Sequence, residues 1–385
     1  MPPTTAVEPA ARPDDGSGAR LTRDCLDPWT YLEVSAAGEV RPCCNFHALG
    51  RLGTGDINPD QLRESEPFAS LRASLLSGRL EGPCQVCHIR RTVPTGELRQ
   101  HLDEATRSAG ATGVPETAPL PITELRVDIN EKCNLRCDYC EVSSPTYAGV
   151  EMTRATFEHV LPLLEQAPGA IIHVNGHGET TFHPQWLAWC REIVEAGHRP
   201  FIITNLAKTY SDEEVALLAR FRVIQVSLDS DDSELMRTIR RRVSVQHVFD
   251  TIARIREAGA PDPPYFSASI GVYDPSIWGL QAFVQRLIGM RVRTITFWDL
   301  VEKSHQSLVR SLQHLTEDEQ ARARDVLVRV RQTLDAAGVQ YRFAGDFHGM
   351  VPELPRPRFD ALVRPLRVFR NRVAHSQKLR RLVGR

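Results

Sequence analysis

Three cysteines fall within eight residues in Cys133-Asn134-Leu135-Arg136-Cys137-Asp138-Tyr139-Cys140, spaced Cys-x3-Cys-x2-Cys. A tight loop with that spacing turns three thiolates toward one point. Three donors are one short of a closed centre, because structural zinc and an ordinary iron–sulfur cluster each take four protein ligands. A centre held by three thiolates keeps one coordination place open, and an open place is where a metal centre does chemistry. The competing reading is a structural zinc knuckle. The 3,2 spacing and the missing fourth ligand argue against it.

Five more cysteines precede this loop: Cys25, Cys43, Cys44, Cys84 and Cys87. Pro83-Cys84-Gln85-Val86-Cys87 is a Cys-x2-Cys knuckle. Five thiols compete for four places. Cys25, Cys43, Cys84 and Cys87 are the expected ligands, with Cys44 spare or exchanging with Cys43. A zinc site with four cysteine ligands is the alternative for this group. The ninth cysteine, Cys190, stands alone in the helical stretch Trp186-Leu187-Ala188-Trp189-Cys190 and is expected in the core.

The elements that must position these thiols follow from the pattern. At 385 residues the chain has room for a large core and for more than one domain. Its apolar fraction of 42% and charged fraction of 25% are those of a globular protein. A net charge of −1 does not suit a nucleic-acid binder. No apolar run approaches the roughly 20 residues that span a bilayer. Residues 1–20, rich in Pro, Ala, Gly and Asp, read as a disordered leader and lack the charged start and apolar stretch of a secretory signal. Nine cysteines without such a signal argue for reduced thiols and a cytoplasmic setting.

Residues 21–107 form the expected N-terminal unit. Tyr31–Ser35 and Glu39–Arg41 alternate around Ala37-Gly38 and predict a hairpin, and Phe68–Leu76 has helical spacing. The unit has little core material of its own, so a metal staple is expected. Residues 108–121, SAGATGVPETAPLP, read as a linker. Residues 122–300 then alternate strands with helices. Strands are predicted at Leu125–Ile129, Ala170–Val174, Phe201–Thr204, Val223–Leu228, Phe266–Val272 and Arg293–Phe297. Helices are predicted near Arg154–Gln166, Gln185–Ala196, Asp212–Phe221, Val245–Ala258 and Trp278–Met290. This is an α/β chain with a parallel sheet and right-handed crossovers. Six strands suit a partial (β/α)6 barrel, or else an open doubly wound sheet. In both, ligands bind at the C-terminal ends of the strands, and the three-cysteine loop lies there, directly after the first strand. Residues 301–385 read as a helical extension, with a long helix near Glu317–Ala337 and a strand at Gln340–Phe343. Its tail, Arg356–Arg385, holds ten Lys/Arg against one Asp, with Leu362, Leu366, Phe369 and Val373 on one helical face. That composition suits an anionic partner, with a solvated helix packed by its apolar stripe as the plainer reading.

With its aromatic Tyr139 before the last cysteine, the loop resembles the signature of the radical S-adenosylmethionine (radical SAM) enzymes. The resemblance covers residues 122–300. It implies a [4Fe–4S] cluster on Cys133, Cys137 and Cys140, with S-adenosylmethionine (SAM) at the open iron. It implies reductive cleavage of SAM to a 5′-deoxyadenosyl radical and hydrogen abstraction from a C–H bond. Asn175-Gly176-His177-Gly178-Glu179 follows the second strand and resembles the family's Gly-Gly-Glu segment, with His177 in place of a middle glycine and Thr180 in place of the usual proline. Gly176 and Gly178 let backbone approach a ligand closely, and carbonyls or Glu179 can accept from an ammonium. Thr204-Asn205 and Ser227-Leu228-Asp229 resemble strand ends that meet the SAM ribose or carboxylate. Arg240, among three consecutive arginines, is placed in the family's carboxylate-binding role.

The N-terminal cysteines, with Pro28-Trp29 and Arg41-Pro42-Cys43-Cys44, resemble the SPASM or shorter twitch module. That module carries auxiliary iron–sulfur clusters and usually follows the core; here it precedes it. The cysteine count fits one auxiliary [4Fe–4S] cluster. Such a cluster can take an electron from a substrate radical, which favours oxidation or bond formation on a peptide or sugar-like metabolite. Cys44 as a hydrogen donor would instead give epimerisation. A reading of another class is a non-catalytic electron-transfer or redox-sensing protein. A flavodoxin- or ferredoxin-type electron donor is expected. His173, Tyr273, Trp298, Asp299, Asp346 and His348 lie in or near strand ends and are further candidates for substrate contact.

Overall fold

The computed structural model describes residues 20–52, 59–87, 89–111, 115–300, 308–345, 347 and 351. The leader before Arg20, Asp346, His348 and the basic tail lie outside the described residues.

Among the described residues twelve strands are formed in chain order: β1 (Leu21–Arg23), β2 (Tyr31–Val34), β3 (Glu39–Arg41), β4 (Gly50–Arg51), β5 (Thr92–Pro94), β6 (Glu124–Val127), β7 (Ile171–His173), β8 (Phe201–Thr204), β9 (Val223–Ser227), β10 (Tyr265–Val272), β11 (Thr294–Asp299) and β12 (Gln340–Ala344). Alternation along the strands decides their faces. In β6, Leu125 and Val127 are fully buried against the helices, while Glu124 and Arg126 are only partly covered. In β2, Leu32 and Val34 join the same core, while Tyr31 and Glu33 take the other parity.

Ten of these strands make one sheet in the order β12-β11-β10-β9-β8-β7-β6-β2-β3-β4. From β6 to β12 each strand lies parallel beside the one before it. This sequential order is that of a barrel wound in one direction. A doubly wound sheet reverses order at a switch point, so that alternative falls away. The strand expected at Gln340–Phe343 is β12 and extends the same parallel sheet beyond the six expected strands.

The sheet does not stop at β6. β2 pairs with it in parallel, Glu33 beside Arg126, and β3 and β4 continue antiparallel as the expected hairpin and one further strand. The N-terminal segment therefore supplies an edge of the main sheet. Its own small core gathers Trp29, Leu75, Leu76, Val93, Leu98, Leu102 and Leu120. Arg72, fully buried in the helix Glu66–Ser77, holds this region together. Its guanidinium donates to the carbonyls of Pro28 (2.9 Å), Thr117 (2.7 Å) and Arg63 (2.6 Å). Within residues 108–121 the chain runs from the end of the helix Thr95–Ser108 to a tied stretch. There Leu120 N–H donates to the Trp29 carbonyl and Trp29 Nε1 to that of Glu116.

The helices come largely where periodicity places them. The region Arg154–Gln166 differs. It forms two short helices, Arg154–Glu158 and Leu161–Glu165, because Pro162 has no N–H to carry one ladder through. The helix Glu317–Ala337 begins at a Thr316/Glu319 capping box and ends at Gly338, whose φ of +64° suits glycine. No helix among the described residues is long and apolar enough to cross a membrane.

Candidate active site

The three-cysteine loop leaves the C-terminal end of β6. Asp128 N–H still pairs with the Val34 carbonyl at 2.8 Å. The chain then returns beside itself, with Glu131 N–H on Val150 O and Met152 N–H on Ile129 O. This brace fixes the base of the loop just before Cys133.

The turn after β7 is bonded directly to that base. Gly178 N–H donates to Asn130 O (3.2 Å) and Glu179 N–H to Lys132 O (2.9 Å), while Asn130 Nδ2 donates to Glu179 O (2.9 Å). The two glycines are required by this approach. A Cβ at Gly178 would stand 2.3 Å from Lys132 O, and one at Gly176 would stand 1.7 Å from the Asp128 carboxyl carbon. His177 is exposed, with Nδ1 3.7 Å from Asp128 Oδ2. A hydrogen bond and the charge of Asp128 raise its pKa against the opposing effect of burial.

Glu179 is buried, and its carboxylate accepts from Thr181 N (3.1 Å), Thr181 Oγ1 (2.7 Å), Thr204 Oγ1 (2.9 Å) and Asn205 N (2.8 Å). Burial raises its pKa even against these donors. Glu179 thus ties the turn to the end of β8. From there Asn205 Nδ2 reaches back to Asn134 Oδ1 at 2.9 Å and lies 3.8 Å from Cys133 Sγ. Loop, turn and β8 end form one hydrogen-bonded unit.

On the far side stand the remaining residues singled out from the sequence. Tyr139 OH donates to Asp229 Oδ2 at 2.5 Å, and Arg240 Nε lies 2.9 Å from Tyr139 OH and 3.0 Å from Asp229 Oδ2. Arg240 Nη1 donates to the Ser227 carbonyl, so it is the backbone of Ser227 that enters this network. Arg240 is buried, whereas Arg241 and Arg242 are exposed. Tertiary packing thereby chooses among three arginines that look alike in sequence.

The thiols respond to this setting. Burial pushes Cys133 up to about 11 and Cys137 up to about 12, and the positive charge of Arg240 pulls both down. Metal ligation removes these protons, so binding a cluster would reverse the effect of burial. Three thiols with no fourth cysteine in the loop form a donor set that would fit an iron–sulfur cluster with one open place. Asn175, beside Gly176, is 4% exposed with Oδ1 lacking a partner, a buried acceptor awaiting a donor.

In the N-terminal region Cys25, Cys43, Cys84 and Cys87 are electrostatic neighbours in sequence: Cys43 acts on Cys25, Cys84 on Cys43, and Cys87 on Cys84. Burial pushes Cys43 up to about 12 and Cys84 up to about 11. Cys44 is exposed, and its charged neighbours include Arg126 and Glu33 on the polar face of β6 and β2. Cys190 is fully buried.

His173 faces this polar side of the sheet, with Nε2 2.9 Å from Glu124 Oε1 but without hydrogen-bond alignment. Tyr273 is buried and donates to Asp229, whereas Trp298 is 45% exposed and Asp299 partly so at the end of β11. Sequence reasoning passed over Asp128, Asn130, Asn134 and the row Arg41–Glu33–Arg126–His173, in which each residue sits directly opposite the next. The signal was present in Glu124-Leu125-Arg126-Val127-Asp128, where charge alternates with apolar residues in a strand of a parallel sheet.

GTP 3′,8-cyclase of Streptomyces coelicolor is 27% identical over 167 residues, covering 41% of this chain and 48% of that protein. The tungsten-containing aldehyde ferredoxin oxidoreductase cofactor-modifying protein of Pyrococcus furiosus is 26% identical over 163 residues, 42% of this chain and 44% of that protein. The chain thus spans about half the length of the curated relatives it matches. Among solved structures, Streptococcus suis SuiB bound to S-adenosylmethionine aligns with a TM-score of 0.48 and 16% identity, over 86% of this chain and 75% of that one. The family model described as the Radical SAM superfamily matches residues 127–286, from the end of β6 across the cysteine loop, the Gly176–Glu179 turn and Arg240. Over residues 127–286, which hold the three thiols after β6, the chain is similar to the Radical SAM superfamily.

Proposed function

We propose that this chain is an enzyme that abstracts hydrogen from a C–H bond of a peptide or sugar-like metabolite, leading to oxidation or bond formation. Cys133, Cys137 and Cys140 would hold a [4Fe–4S] cluster, which when bound would supply the electron for reductive cleavage of SAM to methionine and a 5′-deoxyadenosyl radical. The observation that carries the reading is the bonding of the Gly176–Glu179 turn to the base of the cysteine loop. Asn175 Oδ1, buried without a hydrogen-bond partner beside this turn, is an acceptor that would suit the SAM ammonium. Glu179 orients that turn from behind, since its own carboxylate is already filled by four donors.

Cys25, Cys43, Cys84 and Cys87 hold an auxiliary [4Fe–4S] cluster in this reading. Oxidation would balance with one hydrogen atom lost to the radical, one proton lost to solvent and one electron lost to an auxiliary cluster, which these four thiols would hold. The electron for SAM cleavage comes from a flavodoxin- or ferredoxin-type donor. The test is anaerobic reconstitution followed by SAM and a reductant. Formation of 5′-deoxyadenosine is expected, and its absence from protein carrying the reduced cluster would sink the reaction.

Epimerisation is the second reading, favoured by one observation. Cys44 is exposed, neighbours Cys43, and also faces the charges of Arg126 and Glu33 on the polar sheet face. A reaction run in D2O with single deuterium incorporation and no net oxidation, abolished by C44A, would select it.

A further inference from the structure

Asp229 resembles a strand-end residue that meets SAM, but its carboxylate has no room for a ligand. It is 1% exposed. Oδ2 accepts from Tyr139 OH (2.5 Å), Tyr273 OH (2.9 Å) and Arg240 Nε (3.0 Å), and Oδ1 accepts from Gly271 N (2.9 Å) and Arg240 Nη2 (3.4 Å). Five donors meet the roughly four lone-pair sites of a carboxylate. Arg240 is committed as fully, to Asp229, Tyr139 and the Ser227 carbonyl.

What these residues hold is the last limb of the cysteine loop. Tyr139 lies between Cys137 and Cys140. Its ring packs on Tyr273 at 5.4 Å, beside a small core of Ile239, Tyr273 and Val309. The preceding residue is gripped as well. Asp138 N–H donates to Ile239 O (2.9 Å), and Asp138 Oδ2 accepts from Leu308 N (2.8 Å). These ties of Asp138 and Tyr139 run to residues at least ninety positions away in sequence.

We propose that Asp229 is a positioning residue, which sets the Cys137–Cys140 limb at the height where SAM can dock by holding the hydroxyl of Tyr139. Arg240 neutralises Asp229 in the buried site and does not serve the SAM carboxylate. The inference rests on the radical SAM reaction proposed above. Breaking the tie leaves three thiols able to take up iron, but it loosens the geometry of the open place.

The experiment uses the reconstituted full-length protein and its Y139F, D229N and Y273F variants. Iron content, SAM affinity by anaerobic equilibrium binding, and the change in the electron paramagnetic resonance spectrum of the reduced cluster on SAM addition are measured. Y139F removes one hydroxyl and keeps the packed ring, so it tests the tie without threatening the fold. Wild-type iron content is expected in Y139F and D229N, with SAM affinity about tenfold weaker in both and a reduced spectral response. Y273F, which keeps the ring packed on Tyr139 and removes only a hydroxyl bonded to Asp229, is expected to show a smaller loss. Wild-type affinity in Y139F beside a loss in D229N would mean that Asp229 meets SAM directly, and overturns the inference. Wild-type behaviour in both variants overturns it too. A wild-type cluster whose spectrum ignores SAM fails the proposed reaction itself, which is a separate outcome.

Discussion

The amide of Asp128 donates to the carbonyl of Val34 at 2.8 Å, joining the N-terminal strand to the strand that feeds the cysteine loop. The pairing of β2 with β6 buries Leu32 and Val34 in the same core as Leu125 and Val127. Burial of side chains of this size contributes roughly 1.5–3 kcal/mol each. A chain beginning at residue 115 loses them and exposes the edge of β6. It is expected to aggregate or to melt well below the intact protein. A soluble fragment with the intact protein's melting temperature would show that β2 is dispensable.

Metal content divides the two cysteine groups. Intact protein, reconstituted with iron and sulfide, is expected to hold about eight irons from two four-iron clusters. The triple variant C133A/C137A/C140A should keep about four, and so should C25A/C43A/C84A/C87A. C44A should keep all of them. Zinc found in the N-terminal region, with about four irons elsewhere, would support the four-cysteine zinc alternative.

Gly178 approaches backbone and Gly176 a side chain, so their alanine variants should differ. The Cβ of G178A meets Lys132 O and Asn130 O, which cannot move without opening the loop base. The Cβ of G176A meets the Asp128 carboxylate, which can rotate at the cost of its own bonds. SAM binding is expected to be lost in G178A and weakened in G176A. Equal, wild-type binding in both would contradict the close approach.

Glu179 is an anchor for four donors, and E179A strands the buried amides of Thr181 and Asn205 among them. A buried donor left without a partner costs about 1–3 kcal/mol. Destabilisation on the order of 3 kcal/mol is expected from urea unfolding. E179Q, which retains one acceptor oxygen, should cost less.

His177 beside Asp128 gives a pH dependence with a defined sign. Its folded pKa is raised above 6.5, so the protonated pair stabilises the fold below 6.5 and this contribution is lost as pH rises through the folded value. The melting-temperature gap between wild type and D128N should therefore be larger at pH 6 than at pH 8. A gap independent of pH would leave Asp128 acting only through its backbone bonds.

Local pattern sufficed for much of the molecule. Cys133, Cys137 and Cys140 lie close in sequence, so their spacing alone marks them as candidate ligands of one centre. Alternation around Ala37-Gly38 gives the hairpin, and the Thr316/Glu319 box starts the long helix, because each depends on neighbours a few residues apart. Tertiary structure decided what depends on distant partners. Nothing local tells that Arg240, and not Arg241 or Arg242, would turn inward to Tyr139, 101 residues away. Nothing local tells that Arg72 would be buried under three carbonyls, or that Tyr31–Val34 would find Glu124–Val127 and extend the parallel sheet. A strand's alternation states which residues share a face. It does not state which strand lies alongside, and that choice comes from the shape and hydrogen-bonding needs of the assembled edge.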